Sequence, residues 1–383
     1  MRNDPTPSSP PAAHPRGEPL DAFATTGSSP TDSDPAPATQ HGPAPADVAA
    51  CRSSPCPTVH VVGLGPVGLA LVELLESESL RLAAVSDSSG TARAREADLR
   101  ADVLRRGKQA GGALADELGG RAIPLVHALG DVAADIVVDA TATSFDRAGW
   151  GELLEGAVLA RGAHLVFAAK DGPALHLPAW LRRYPGQVGV NAVLGGAGAA
   201  LLAELRGLRA STRAVRIAGN ATTTTIIQAI ERGGTIDEGV AAATAAGLLE
   251  ADPELDLRGR DAAVKLAVVV GALTGRAVEP AAIPSEDVRS LDPEELRRRA
   301  RGGRTTRLVG RWDGGRPVVR YEALALDDPL AVAADEVAYA YRSRNGLERV
   351  HRGGGIGPLA TARAALVDVR AAAEVWVNRE AVR

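Results

Sequence analysis

Apolar positions along the chain fall into two periods. Short runs at Val59–Gly63, Leu80–Ser86, Asp135–Asp139 and Ala163–Ala169 have the length and β-branched content of buried strands. Between them, Leu69–Leu75, Ala92–Glu117 and Trp150–Ala160 carry apolar residues at helical spacing. Strands alternating with helices predict a parallel sheet wound on both faces. After Val188–Asn191 the order changes. A strand at Val215–Ala218 leads through Thr and Asn residues into a helix ending at Gly233–Gly234. A charged connector from Pro280 holds a helix at Pro293–Arg301, and its Arg297–Arg304 run reads as a solvated face. Strands follow at Thr306–Trp312, Pro317–Ala325 and Val337–Arg342, with a Gly314–Gly315 hairpin signal between the first two. These predict a second, open mixed sheet, largely antiparallel, with helices on one side.

The most unusual stretch runs from Gly247 to Gly275. From Asp261 to Leu273 nearly every residue is apolar or small, which marks a buried helix. Asp261 and Lys265 nevertheless sit one turn apart on one face. Glu250, Asp252, Glu254 and Asp256 come just before them. An exposed i,i+4 ion pair beside an acidic loop accounts for this spacing. A charged site set into the core accounts for it equally, and buried charges are costly unless paired.

The first strand opens into Gly63-Leu-Gly65-Pro-Val-Gly68 and then a helix. In that context the glycines read as a dinucleotide turn, with Gly63 for the bend, Gly65 for close approach of a pyrophosphate and Gly68 for helix–strand packing. Val67 lies in the same turn, and the helix N-terminus favours phosphate. The fold class is therefore α/β, a Rossmann-type doubly wound sheet plus an α+β second domain. Asp87 ends the second strand at the offset where an acid meets the adenosine ribose, which favours NAD over NADP. Arg93 and Arg95 follow closely and could receive a phosphate. Ligands in such sheets bind beyond the C-terminal strand ends, where Thr141, Thr143 and Lys170 fall. Lys170 reads either as a solvated strand cap or as a site residue. His164, inside its strand, reads as a packed core residue.

Among the 383 residues, 45% are hydrophobic but only 3% aromatic, so Ala, Val and Leu must fill the core. A net charge of −4 gives no reason to expect nucleic acid or an anionic membrane as partner, and no apolar run reaches membrane-span length. Cys51 and Cys56 are too few for a disulfide scaffold and have no His neighbours to complete a zinc site, so they read as incidental. Residues 1–57 are rich in Pro, Ser, Ala, Thr and Asp and cannot offset the entropy of ordering. This extension is expected to be disordered, and it lacks the pattern of a secretory signal. The expected domains are residues 58–190 for the cofactor, 191–350 for substrate and dimerisation, and 351–383 packing back on the first.

The run Glu250-Ala-Asp-Pro-Glu-Leu-Asp256, then Gly259, Asp261 and Lys265, resembles the active-site segment of homoserine dehydrogenases, which carry Glu-x-Asp-Pro, a second Asp and Gly-x-Asp-x-x-x-Lys at this spacing. Lys170 is similar to that family's Lys after an apolar strand, often within Asn-Lys-Gly-Pro, although Ala169 precedes it and Asp171 intervenes before Gly172-Pro173. Asn220-Ala221-Thr222-Thr223 resembles Asn-Gly-Thr-Thr, with Ala221 in place of Gly, and Leu248 stands where a Tyr is common. Asn191 replaces a Glu beside a turn whose carbonyls in the family resemble a monovalent cation site, so no metal is expected. The run from Gly353 to Thr361, with Gly355 and Gly357, resembles the turn that touches the nicotinamide.

The resemblance, over about residues 58–373, implies NAD(P)-dependent interconversion of L-homoserine and L-aspartate 4-semialdehyde, on the route to threonine, methionine and isoleucine, by a cytoplasmic homodimer. It implies the short form, without a C-terminal regulatory domain. Lys170 and Lys265 become the candidate proton donors and Asp261 the residue that orients Lys265. Glu250 and Asp256 would receive the substrate ammonium, and Thr222 with the backbone of Ala221 would contact the rest. Ala221 and Leu248 motivate one alternative, a related dehydrogenase acting on another amino-acid semialdehyde. A non-catalytic nucleotide sensor would have no need of Glu250, Asp256, Asp261, Lys170 and Lys265 together.

Overall fold

The computed structural model describes residues 56–115, 118–248 and 253–381. The N-terminal extension therefore lies outside the described residues, except for its last two. Cys56 is disulfide-bonded, so reading it as incidental does not hold.

The N-terminal half runs β1 (Thr58–Val62), α1 (Pro66–Leu75), β2 (Arg81–Ser86), β3 (Thr91–Arg93), α2 (Ala101–Gln109), α3 (Leu125–Val132), β4 (Ile136–Asp139), α4 (Trp150–Ala157), β5 (His164–Phe167), α5 (Asp171–Arg183) and β6 (Val188–Gly189). They build one sheet in the order β3-β2-β1-β4-β5-β6. All its pairings are parallel except that of β3 with β2. The strand order reverses between β1 and β4, and ligands of such sheets bind at that switch point.

Two stretches differ from the expectation. The helix read at Ala92–Glu117 is confined to Ala101–Gln109, and Thr91–Arg93 adds an antiparallel edge strand instead. The backbones of Thr91 and Arg121 exchange two hydrogen bonds that hold this edge. The Lys170-Asp-Gly-Pro173 run opens α5. Pro173 is tolerated there because the first turn of a helix leaves its N–H groups unpaired in any case.

The second half adds α6 (Gly198–Ser211), β7 (Thr212–Ala218), α7 (Ala221–Glu231), α8 (Ile236–Ala245), α9 (Pro253–Leu257), α10 (Arg260–Thr274), α11 (Pro293–Arg301), β8 (Arg304–Trp312), β9 (Val318–Ala325), β10 (Glu336–Ser343), β11 (Glu348–Gly354) and α12 (Gly357–Glu380). The five strands lie in the order β11-β10-β7-β8-β9. Every pairing between these strands is antiparallel, and one parallel bridge joins Ser285 to Val319 of β9, in keeping with a largely antiparallel sheet. β11 takes in Arg352–Gly354, which the sequence offers as part of a turn. Gly353 explains why: a Cβ there would stand 2.0 Å from the Gly195 carbonyl oxygen, so only glycine lets the strand pass.

α10 is buried on nearly its whole surface, from Ala262 to Leu273, and packs against α5, α6, β7 and β8. α12 returns to lie against α1, where Ala362, Ala365, Leu366 and Val369 join Leu71, Val72 and Leu75 in one apolar cluster. Among the described residues no helix is long and apolar enough to cross a membrane.

Candidate active site

The Gly-rich turn is built as its spacing requires. Gly63 has φ +101°, and a Cβ on it would meet the backbone of Ala140 and Thr141 at 2.5–2.6 Å. Gly68 lies so close to Gly63 that a Cβ would come within 1.8 Å of the Gly63 carbonyl oxygen. Gly65, the N-cap of α1, has nothing within 4 Å. Space at the middle glycine, in front of a helix N-terminus, suits a pyrophosphate.

Gly65 and Gly68 should therefore separate on mutation. Gly68→Ala is expected to destabilise the fold, because a backbone oxygen must move. Gly65→Ala should leave the melting temperature near that of the parent while weakening cofactor binding by roughly tenfold, since its Cβ enters only the space meant for phosphate. Thermal melts and a cofactor fluorescence titration on the two variants check this.

At the end of β2, Asp87 is not a free acceptor. Its Oδ1 accepts from the Ser89 and Gly90 backbone N–H groups and from the Ser89 hydroxyl, and its Oδ2 pairs with Lys108 Nζ at 2.8 Å. Burial raises its pKa, but the bonds from Lys108 and Ser89 outweigh that and hold the carboxyl below its usual value. Arg93 turns away to Asp131. Arg95 and Glu96 form a surface pair.

Past β4, Thr141 donates its hydroxyl and backbone N–H to Asp139, and Thr143 accepts the backbone N–H of Lys170 at 3.1 Å. Lys170 caps α5 and points its Nζ to Asp261 Oδ1 at 3.2 Å. Asp261 opens α10, and its other oxygen takes Lys265 Nζ at 2.8 Å. Lys265 also donates to the Gly219 carbonyl at 3.0 Å. One buried carboxylate thus joins a lysine from the first sheet to a lysine of the central helix. Burial opposes its ionisation, but the two ammonium groups prevail and hold Asp261 well below the ordinary carboxylate range. Of the two readings of the Asp261–Lys265 spacing, the exposed pair is ruled out: the side chains are 9% and 14% exposed.

Asn220 is a residue whose role the sequence does not convey. It caps α7 through Oδ1, and its Nδ2 reaches both Asp256 Oδ1 at 3.1 Å and Asp261 Oδ2 at 3.2 Å. A single amide therefore fixes the spacing of the two acids. Asp256 is buried beside it. Thr222 spends its hydroxyl hydrogen on the Leu248 carbonyl, so it anchors the loop at Gly247–Leu248. Glu250 lies outside the described residues.

Val67, Thr141, Thr143, Lys170, Ala221, Thr222, Asp256, Asp261, Lys265, Gly355 and Gly357 all line one cleft of about 540 Å³. The cleft joins the dinucleotide edge to the acids and lysines. A larger groove of about 1040 Å³ beside β6 holds none of these groups and is not the site. His164 lies along that groove. It is buried, as a core residue should be, and burial lowers its pKa. Asn191 uses its side chain to tie Ala199 to Ala364, a packing role. Among the described residues no His, Cys, Asp and Glu cluster could hold a metal.

With that geometry in view, comparison with known proteins is consistent. A family model described as homoserine dehydrogenase matches residues 202–369. The chain is similar to the homoserine dehydrogenase of Pyrococcus horikoshii, 31% identical over 150 residues that cover 39% of this chain and 44% of that relative, so this match spans less than half the relative's length. It is similar to the homoserine dehydrogenase of Methanocaldococcus jannaschii at 24% identity over 81% of this chain and 96% of that one. Among solved structures, a hyperthermophilic archaeal homoserine dehydrogenase in complex with NADPH superposes with TM-score 0.68 at 23% identity, covering 82% of this chain and 97% of that one. The Thermoplasma acidophilum homoserine dehydrogenase gives TM-score 0.63 at 24% identity, covering 82% and 97%. The family model spans the helices and the sheet around Asp256, Asp261 and Lys265, and there the chain resembles the homoserine dehydrogenases.

Proposed function

We propose that this cleft interconverts L-homoserine and L-aspartate 4-semialdehyde with a nicotinamide dinucleotide. The observation that carries the reading is the Asp261 carboxylate held between Lys170 and Lys265, within a cleft that continues to the Gly63–Gly68 edge. The open position at Gly65 fits the pyrophosphate of such a cofactor, with Val67, Thr141, Thr143, Gly355 and Gly357 along its path. When bound, the cofactor accepts the hydride of the carbinol carbon or returns it to the aldehyde.

The chain's own residues handle the proton and the orientation. As the alcohol is oxidised its hydroxyl proton must leave, and as the aldehyde is reduced its oxygen must gain one. A lysine suits this work, taking the proton as the neutral amine and returning it as the ammonium, with Lys265 the first choice and Lys170 beside it to stabilise charge on the oxygen. Asp261 orients both. Asp256, with Glu250, receives the substrate ammonium, while Thr222 and the backbone of Ala221 bound the rest. Residues 58–190 form the cofactor unit, 191–350 the substrate and dimerisation unit, and 351–383 the returning helix. The antiparallel sheet supplies the homodimer core.

Both nicotinamide forms are candidates. The charge of Asp87 favours NAD, and the Lys108 ammonium beside it offers a partner to a 2′-phosphate. Absorbance of the reduced nicotinamide, followed with L-homoserine and NAD or NADP in turn, tests the whole reading. Turnover with a higher kcat/KM for NAD is expected. Turnover with NADP alone overturns the Asp87 argument, and none with either overturns the function.

A further inference from the structure

Asp171 is the residue that interrupts the family-like Lys-Gly-Pro run, and its surroundings are unusual. Its side chain is 4% exposed. Oδ2 accepts from Arg147 Nη2 at 2.6 Å, while Oδ1 is buried without a hydrogen-bond partner. Arg147 is thus the group that compensates this buried charge, and a buried carboxylate stripped of its cation is strongly unfavourable.

Arg147 is itself held in one orientation. Its guanidinium lies over the Trp150 ring at 4.3 Å, and its Nη1 donates to the Thr141 hydroxyl at 2.9 Å. That hydroxyl passes its own hydrogen to Asp139 Oδ1 at 2.6 Å, and Trp150 Nε1 donates to Asp139 Oδ2 at 2.9 Å. The fork of one arginine therefore spans the segment after β4 and the first residue of α5. The two segments meet again where Lys170 N–H reaches Thr143. Thr141, Thr143 and Lys170 all line the cleft.

We infer that Arg147 is a positioning residue that sets Lys170 and the cofactor edge in a fixed relation, through Asp171 on one side and Thr141 on the other. This rests on the reading of the cleft given above. Lys170 is the residue directly before Asp171, so rotation of the first turn of α5 displaces its ammonium from Asp261. Thr141, released from Arg147, loses one of the two contacts that orient its hydroxyl. A lysine cannot replace Arg147, because a single ammonium lacks the planar fork that serves both partners.

A purely structural ion pair predicts something different, and a double variant separates the two. Arg147→Met alone leaves Asp171 unpaired and should lower the melting temperature. Arg147→Met with Asp171→Asn removes both charges and should recover much of it. If Arg147 positions the site, kcat of the double variant stays roughly tenfold to a hundredfold below the parent, because small displacements of reacting groups are costly. KM for L-homoserine stays near the parent value and Kd for the reduced cofactor rises about fivefold, as befits a loss of orientation at Thr141. Arg147→Lys should keep the melting temperature and still lose kcat. A double variant with either kcat or cofactor Kd within about twofold of the parent overturns the inference, whatever its melting temperature. The parent enzyme in the same assay is the control for the underlying function. Should it fail to turn over L-homoserine, that reading falls, and the cofactor titration alone decides: a Kd unchanged in the double variant rejects the role of Arg147, and a raised Kd retains it.

Discussion

Replacing Lys265 with alanine is expected to lower kcat for L-homoserine by a factor on the order of 10²–10⁴, the range associated with loss of a general acid or base. Cofactor affinity should remain near that of the parent. Lys265 stands on the central helix, and its ammonium is tied to Asp261 and to the Gly219 carbonyl, while the dinucleotide turn is built from α1 and the edge of the parallel sheet. Removing it therefore subtracts from the reacting end of the cleft. Lys265→Arg sharpens the result. An arginine keeps the positive charge but does not give up its proton near neutral pH. If Lys265 moves the proton, arginine is nearly as damaging as alanine. If Lys265 only holds charge, arginine restores a large part of kcat and the proton-transfer role passes to Lys170. A Lys265→Ala enzyme with turnover close to the parent would reject the assignment altogether.

What the sequence conveys and what it hides follow the range of the interactions. Gly63, Gly65 and Gly68 are legible because the bend and the Gly63–Gly68 contact lie within six residues of chain, although Gly63 is also confined by the distant backbone of Ala140 and Thr141. Lys265 and Asp261 share one helical face by spacing alone. Burial of that face follows from the apolar residues around it, although spacing could not decide between a surface pair and a core pair. The partner across the cleft, Lys170, is placed by its strand-end position, but its meeting with Asp261, far away in the chain, is not written in any local pattern. Asp87 follows directly on β2, where the strand pattern puts it, but its engagement by Lys108 depends on how α2 folds back, which no local pattern records. Arg147 and Asn220 show the same limit. Each is an ordinary polar residue in a loop or at a helix cap, and each matters because the fold brings two distant segments to its side chain. β3 and β11 escaped for another reason. They are edge strands, the first short enough to read as the start of a helix and the second ending in glycines that read as a turn, and pairing with a neighbour decides their conformation.

Asp261→Asn is expected to cost stability as well as turnover. The parent places one carboxylate between two ammonium groups in a site whose side chains are mostly buried. The asparagine keeps an acceptor oxygen but no charge, so Lys170 and Lys265 lose their shared counter-ion and repel each other. Breaking a buried ion pair by removing one partner costs about 3–5 kcal/mol. The Asn220 amide also loses a charged acceptor for one of its two bonds. The pH dependence follows from the sign of the shift. The folded protein holds Asp261 below its ordinary carboxylate value, so its contribution is fully present above the unfolded pKa, near 4. That contribution fades as pH falls through the depressed folded value. Parent and variant should therefore differ most in melting temperature at neutral pH and converge on strong acidification. A second variant tests the cause: Asp261→Asn combined with Lys265→Met removes a cation along with the anion and should recover part of the lost stability while remaining inactive. If Asp261→Asn melts with the parent at pH 7, the carboxylate does not hold the two lysines together, and the orienting role assigned to it fails with that result.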